Sequence, residues 1–230
     1  MGSDITKARI RILKNGPYIV SGNVPLSEKI IVSKGKGYEY KDGRELPQYE
    51  KYALCRCGKS KNPPFCDAYH VKAGFEGTET ASKAKYEDRA ELLEGPELDL
   101  WDDHRCAFAR FCHTQEGNTW DLIKTSDQPK HRDAAIKGAS ECPAGRLVAV
   151  DKMGTAIEPD YEPAIEILQD PERKVSCGIF VKGYIPIESS EGEIYETRNR
   201  VVLCRCGESK NTPFCDASHV SVSFSDKDNI

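Results

Sequence analysis

The chain has 230 residues, enough for one large domain or two to three small ones. Hydrophobic residues make up 38% and charged residues 30%, and no apolar run approaches the roughly 20 residues of a membrane span, so no membrane association is expected. A formal net charge of -4 without a concentrated basic patch argues against a nucleic-acid partner.

Met1 to Lys14 is mixed and charged and lacks the apolar core of a secretory signal. Gly16-Pro-Tyr-Ile-Val20-Ser-Gly22-Asn-Val-Pro25-Leu reads as a β-strand, a Gly turn and a second strand. Ser33 to Pro47, rich in Gly, Lys and Glu, reads as a surface loop or hairpin extension. Tyr49 to Leu54 is an apolar strand running into Cys55-Arg-Cys57-Gly-Lys-Ser60-Lys-Asn-Pro-Pro64-Phe-Cys66-Asp67-Ala-Tyr-His70. Ala81 to Glu94 has a helical composition that Gly95-Pro96 breaks. Cys106 and Cys112 follow, then Thr119 to Ile123 as a strand or turn, Pro129 to Gly138 as a helix, and Cys142-Pro143 with a strand over Leu147 to Val150. The Pro- and acid-rich stretch from Glu158 to Pro171 reads as a surface linker.

The C-terminal part repeats the beginning. Cys177-Gly-Ile-Phe-Val181-Lys-Gly183-Tyr-Ile-Pro186-Ile parallels Gly16 to Leu26, with Cys177, a small apolar strand residue, at the place of Gly16. A strand over Arg200 to Leu203 leads into Cys204-Arg-Cys206-Gly-Glu-Ser209-Lys-Asn-Thr-Pro213-Phe-Cys215-Asp216-Ala-Ser-His219. Val220 and Phe224 parallel Val71 and Phe75. The expected organisation is one β-rich unit at 8–78, a different segment at 79–172 and a second copy of the unit at 173–226. So small a unit buries little core of its own, so the two copies are expected to pair within the chain.

Each copy offers three thiols and one imidazole: Cys55, Cys57, Cys66 and His70, then Cys204, Cys206, Cys215 and His219. In an extended C-x-C pair both side chains point the same way. Asp67 and Asp216 have the chemistry to N-cap a short helix that places the His one turn after the Cys. Tetrahedral zinc and a 2Fe–2S cluster with one nitrogen ligand both accept such a set, and spacing alone leaves the two open. Ten cysteines grouped in this way, with no secretory signal, point to metal in a reducing, cytoplasmic compartment.

Both stretches resemble the CDGSH (mitoNEET-type) iron–sulfur motif, with Ala68 and Ala217 where that family usually has Gly. The resemblance implies a 2Fe–2S cluster in each unit and an intertwined pseudo-dimer with both clusters at one end. Cys106, Cys112 and Cys142-Pro143 resemble divergent single-cluster ferredoxin domains, with Ala109 replacing the middle Cys of the short run. That implies a third cluster, 3Fe–4S or 4Fe–4S; 3Fe–4S, which needs only three thiolates, is the simplest fit, and His113, His104, a water or no ligand at all are the alternatives for the fourth corner. Three buried free cysteines are the other reading. The expected fold is α+β and mostly β, two NEET-like units with an inserted ferredoxin-like domain.

No substrate-handling motif is present, so the expected function is electron transfer by a monomeric carrier serving a redox partner protein, not an enzyme. A labile cluster carrier or sensor that serves an apo-protein acceptor is the second reading, and a zinc-stabilised structural module the third. Arg56 and Arg205, each between two cysteines, are expected to stabilise a reduced cluster, and Ser60 and Ser209 to donate hydrogen bonds near it.

Overall fold

The structure is a computed structural model that describes residues 8–226. The first copy contains β1 (Arg9–Ile12), β2 (Tyr18–Ser21), β3 (Leu26–Lys34), β4 (Gly37–Asp42), β5 (Lys51–Leu54) and α1 (Tyr69–Lys72). The middle segment contains α2 (Tyr86–Arg89), β6 (Glu91–Leu93), β7 (Leu98–Asp102), β8 (His113–Thr114), β9 (Gly117–Asn118), α3 (Thr119–Ile123), α4 (Pro129–Ser140), β10 (Leu147–Asp151) and β11 (Ala156–Ile157). The second copy contains β12 (Ala164–Asp170), β13 (Val175–Lys182), β14 (Ile187–Glu188), β15 (Arg200–Leu203) and α5 (Ser218–Ser221).

The two copies are intertwined by an exchange of strands. One sheet runs β14-β1-β2-β5 and the other β15-β13-β12-β3-β4. β3 therefore leaves its own copy to lie parallel to β12, and β14 reciprocates by lying parallel to β1. The hydrogen bonds repeat as well: Ile10 N–H donates to the Pro186 carbonyl and Ile165 N–H to the Pro25 carbonyl, both at 2.9 Å. Side chains from the two sheets then fill one core, in which Ile10, Tyr18, Val20 and Leu54 meet Ile165, Ile179, Val181 and Leu203. Neither copy has a complete sheet without the other's strand.

The expected hairpin extension is the β3–β4 pair, closed between Lys34 and Gly37. Three other expectations need correction. The supposed linker from Glu158 to Pro171 contains β12, which pairs with both β3 and β13 and buries Ile165, Ile167 and Leu168 completely. The second copy thus begins before residue 173. Ala81 to Glu94 holds only the one-turn α2 and then β6; its helix formers lack an apolar stripe, and β6 gains more by pairing with β7. Thr119 to Ile123 is the helix α3, whose N-cap Asn118 accepts from Asp121 N–H. The helix over Pro129 to Gly138 and the strand over Leu147 to Val150 are present as α4 and β10.

The middle segment has its own core, with Leu98, Leu100, Leu122, Ile123, Ala135 and Leu147 between the β11-β10-β7-β6 sheet and α3 and α4. It also packs onto the outer face of the second copy. β2 alternates between buried and half-buried residues, because one face meets solvent. β13 and β15 are buried on both faces and read as continuous apolar runs. Arg200, on β15, fastens the two parts. Its side chain is fully buried, pairs with Glu158 at 2.7 Å, and donates to the carbonyls of Ala139, Ser140, Cys142 and Leu147. Arg200→Met should therefore destabilise the chain by about 3–5 kcal/mol in urea unfolding, since Glu158 and four carbonyls lose their donor. A loss of less than about 1 kcal/mol would show that the contact is replaceable.

Candidate metal centres

Both C-x-C segments leave a sheet strand and turn back on themselves. Cys55 N–H donates to the Pro64 carbonyl and Cys204 N–H to the Pro213 carbonyl, each at 2.8 Å. Cys66 and Cys215 are drawn alongside the strands by bonds to the carbonyls of Ala53 and Val202. The carboxylate of Asp67 closes the turn by accepting from Lys61 and Tyr69 N–H, and Asp216 does the same from Lys210 and Ser218. The helix that follows starts after Ala68 and Ala217, which adopt left-handed φ values of 64° and 70°. The aspartates thus stand one place before the N-cap. The hydroxyls of Ser60 and Ser209 donate to the carbonyls of Phe65 and Phe214, next to Cys66 and Cys215, and clip the loop.

The ligand atoms meet in pairs. Cys55 and Cys57 Sγ are 3.7 Å apart, and Cys204 and Cys206 Sγ 3.5 Å. Nδ1 of His70 and of His219 lies 3.4 Å from the sulfur of Cys66 and of Cys215. Two thiolates on one tetrahedral metal stand about 3.7 Å apart, and a thiolate and an imidazole about 3.5 Å. Every pair therefore has the edge length of two ligands on a common metal. Among the described residues no three His, Cys, Asp or Glu side chains converge on a single metal position. All ten cysteines are free.

The electrostatics suit an anionic group. Hydrogen bonding from Cys57 lowers the Cys55 thiol, and that from Cys206 lowers Cys204, so each pair favours one thiolate. Burial pushes His219 down to about 4, with the Arg205 charge adding to it, which keeps the imidazole in the neutral form that binds metal. The guanidinium of Arg56 is buried with none of its nitrogens hydrogen-bonded, held between the rings of Tyr18 and Phe75. Its counterpart Arg205 pairs with Asp226 at 2.6 Å and donates to the Cys177 carbonyl. Counting from the cysteines, Gly77 stands where Asp226 would be, and a Cβ there would lie 2.7 Å from Arg56 Nη1. A buried, unpaired cation beside two thiols calls for negative charge, and a cluster held by three thiolates supplies it.

The two motifs meet back to back. Gly58 and Gly207 have positive φ, and a Cβ on either would fall 2.4 Å from the Cys206 carbonyl oxygen or 2.7 Å from that of Cys57. Only glycine allows this approach, which sets both ligand sets at one end of the molecule.

In the middle segment Cys106, Cys112 and Cys142 lie near enough to feel one another's charge. Burial, with the charges of Cys142 and Cys106, pushes Cys112 up to about 12. Burial raises Cys142 as well, while N–H groups of Leu147 and Arg146 point at its sulfur. Phe108 and Arg110 take left-handed φ in the intervening loop, and Phe108 N–H donates to Cys106 Sγ at 3.3 Å. Such coiled backbone turns N–H groups toward an anion. His104 faces Asp102 and Glu91 instead of the thiols. His113 Nδ1 lies 3.4 Å from Cys112 Sγ, an edge shared with Cys112 rather than a separate corner of a cluster. Cys177 is buried on β13 as a packing residue, as expected.

Ala68 and Ala217, which stand where the resembling family usually has Gly, occupy the one position of the turn that disfavours a Cβ. Ala68→Gly and Ala217→Gly should each raise stability by up to about 1 kcal/mol, the αL penalty less the added freedom of unfolded glycine. Thermal melts of both variants check this, and a fall in Tm in either would contradict it.

A family model described as "Iron-binding zinc finger CDGSH type" matches residues 15–71 and 178–220, and one described as "Divergent 4Fe-4S mono-cluster" matches residues 93–152. No curated protein and no solved structure matches the chain. The first description covers Cys55 to His70 and Cys204 to His219, and the second covers Cys106, Cys112 and Cys142. These matches show that the chain carries two CDGSH-type iron-binding segments flanking a divergent 4Fe-4S mono-cluster segment.

Proposed function

We propose that the chain is an electron carrier that holds a 2Fe–2S cluster in each CDGSH segment and a cuboidal cluster on Cys106, Cys112 and Cys142. The observation that carries this reading is the pairing of ligands. Four ligands on one zinc would bring every pair to a common distance, whereas here Cys55 with Cys57 and Cys66 with His70 each form an edge of their own. That partition suits two metals, one served by two thiolates and the other by a thiolate and Nδ1. The second copy repeats it.

For the middle site, the 4Fe–4S description of the matching family favours the four-iron form over 3Fe–4S, with the three thiolates on three irons. When bound, these groups supply one-electron chemistry. The protein's own residues bury them, neutralise their charge and present N–H groups to the sulfurs. Imidazole in place of thiolate makes a cluster less negative and raises its potential. Free thiols throughout fit a reducing compartment. No helix among the described residues is long and apolar enough to cross a membrane. The redox partner would be a protein, and strand exchange closed within one chain supports a monomer.

Protein purified without oxygen should be red-brown, monomeric by light scattering, and contain iron with acid-labile sulfide. Cys142→Ala should lose only the iron and the paramagnetic signal of the middle site. Zinc without sulfide would overturn the reading for the CDGSH segments, and unchanged iron in Cys142→Ala would overturn it for the middle one.

Arg56 offers a second check. Replacing it by Met removes an uncompensated buried charge from the iron-free chain, which should become more stable by about 1–4 kcal/mol. The loaded protein should respond in the opposite direction, because the cluster loses its counter-ion. Urea melts with and without iron measure both, and shifts of the same sign would contradict the role given to Arg56.

A further inference from the structure

The two CDGSH ligand sets are chemically alike and differently enclosed. In the first copy Cys66 and His70 are half-buried, and Val71 beside them is 73% exposed. A cleft of about 560 Å³ reaches Cys55, lined by Ser60, Pro63 and Tyr69 on one side and by Arg205, Phe224 and Asp226 of the second copy on the other. In the second copy Cys215 is 4% and His219 1% exposed, and the gap at Cys215 is about 10 Å³.

Two pieces of chain account for the difference. First, β12 and β13 run on past the length of β1 and β2, so their connecting end, from Asp170 to Cys177, lies over the second ligand set. Ser176 N–H donates to the Phe224 carbonyl at 2.8 Å and fixes that end to the segment following His219. Second, the loop between Cys106 and Cys112 packs onto the same place, where Ala107, Ala109 and Phe111 join Cys177, Val202 and Cys215 in one apolar cluster with Val220 against it. Ion pairs from Arg110 latch the two pieces, the main one to Asp170 and a longer one, at 3.8 Å, to Glu172 on the same connecting end. Arg110, stacked 4.3 Å over the Tyr38 ring, grips both oxygens of the fully buried Asp170, one of them at 3.1 Å. In the first copy the shorter β1–β2 turn is tied to the segment after His70 in a similar way, Gly77 N–H donating to Asn15 Oδ1 at 3.0 Å, but it has no counterpart of the covering loop or of the Arg110 latch, because the middle segment is inserted once and leans on one side only.

We propose that the two centres are different in kind: the His70 centre is the exchangeable one, open to an external thiolate or chelating ligand, and the His219 centre is sealed in place by the loop between Cys106 and Cys112 under the Arg110–Asp170 latch. This rests on the reading that both CDGSH segments hold metal. It assigns contact with an acceptor or donor of iron to the first copy, through the face around His70. A ligand can remove metal only from a site it can reach, so release from the sealed site needs a local opening that breaks the latch. The middle segment thereby has a second role besides holding its own cluster.

The test is release of iron from the loaded full-length protein to a ferrous chelator, bathophenanthroline disulfonate, at neutral pH under reducing conditions. Two phases attributable to the CDGSH segments are expected, at rates separated by at least about tenfold. His70→Cys should slow the fast phase alone. Asp170→Asn, nearly isosteric, should leave the fast phase unchanged and speed the slow one by about tenfold; Arg110→Ala, which removes the other half of the latch, should do likewise. Equal release from both segments would overturn the proposal, as would a fast phase that responds to Asp170→Asn rather than His70→Cys. Should the bound metal prove to be zinc, the iron–sulfur reading fails while the same two phases, followed with a zinc chelator, still decide whether the second site is sealed.

Discussion

The exchange of β3 and β14 between the two copies is the constraint on which the remaining architecture depends. Each sheet is completed by a strand from the other copy, in parallel pairing that hydrogen bonds beginning at Pro25 and Pro186 hold in register. Because the pairing is reciprocal, it generates a pseudo-two-fold relation that carries Cys55–His70 onto Cys204–His219. The relation then places Gly58 and Gly207 against the opposite motif's backbone. The closeness of the two metal sites follows from the sheets and requires no separate recognition between the motifs.

Within that symmetric frame the charges are not symmetric. Arg56 and Arg205 occupy equivalent places between paired cysteines, yet Asp226 neutralises Arg205, while Gly77 at the matching position leaves Arg56 without a partner. A buried guanidinium with no partner is unfavourable in isolation, and its persistence makes sense where a bound anion completes the site. The same residue type therefore serves two ends: part of a closed ion pair in the second copy, and a standing demand for negative charge in the first.

Much of the site was legible in the sequence, because ligand chemistry depends on residue identity and short spacing. The twelve-residue separation from Cys55 to residue 67 contains every turn that brings Cys66 back to its strand, and both copies carry it unchanged. The hairpin after β3, the helix α4 and the strand β10 were legible for the same local reasons. What was not legible depends on tertiary context. β12 is a short apolar run, Ala164 to Leu168, between acidic and Pro-rich flanks that read as linker, and only its two neighbours in the sheet make it a central strand. The left-handed φ of Ala68 and Ala217 contradicts the usual preference of alanine, so composition could not reveal it. The different burial of His70 and His219 was also out of reach, since motifs with the same ligands and spacing differ there in what the longer β12–β13 end and the inserted segment cover.

The closed strand exchange also governs how the protein behaves on dilution. Two separate chains that swap strands form their shared core by a second-order reaction, and the assembled fraction falls as the protein becomes scarce. Here the partner strand is tethered, so its local concentration is set by the length and path of the intervening chain and not by how many copies a cell contains. The middle segment shortens that path further, because Arg200 fixes its far end to the very strand that leads into Cys204. Both metal sites are thus preserved in a single molecule, and a cell could maintain the pair intact at an abundance where a bimolecular assembly would come apart.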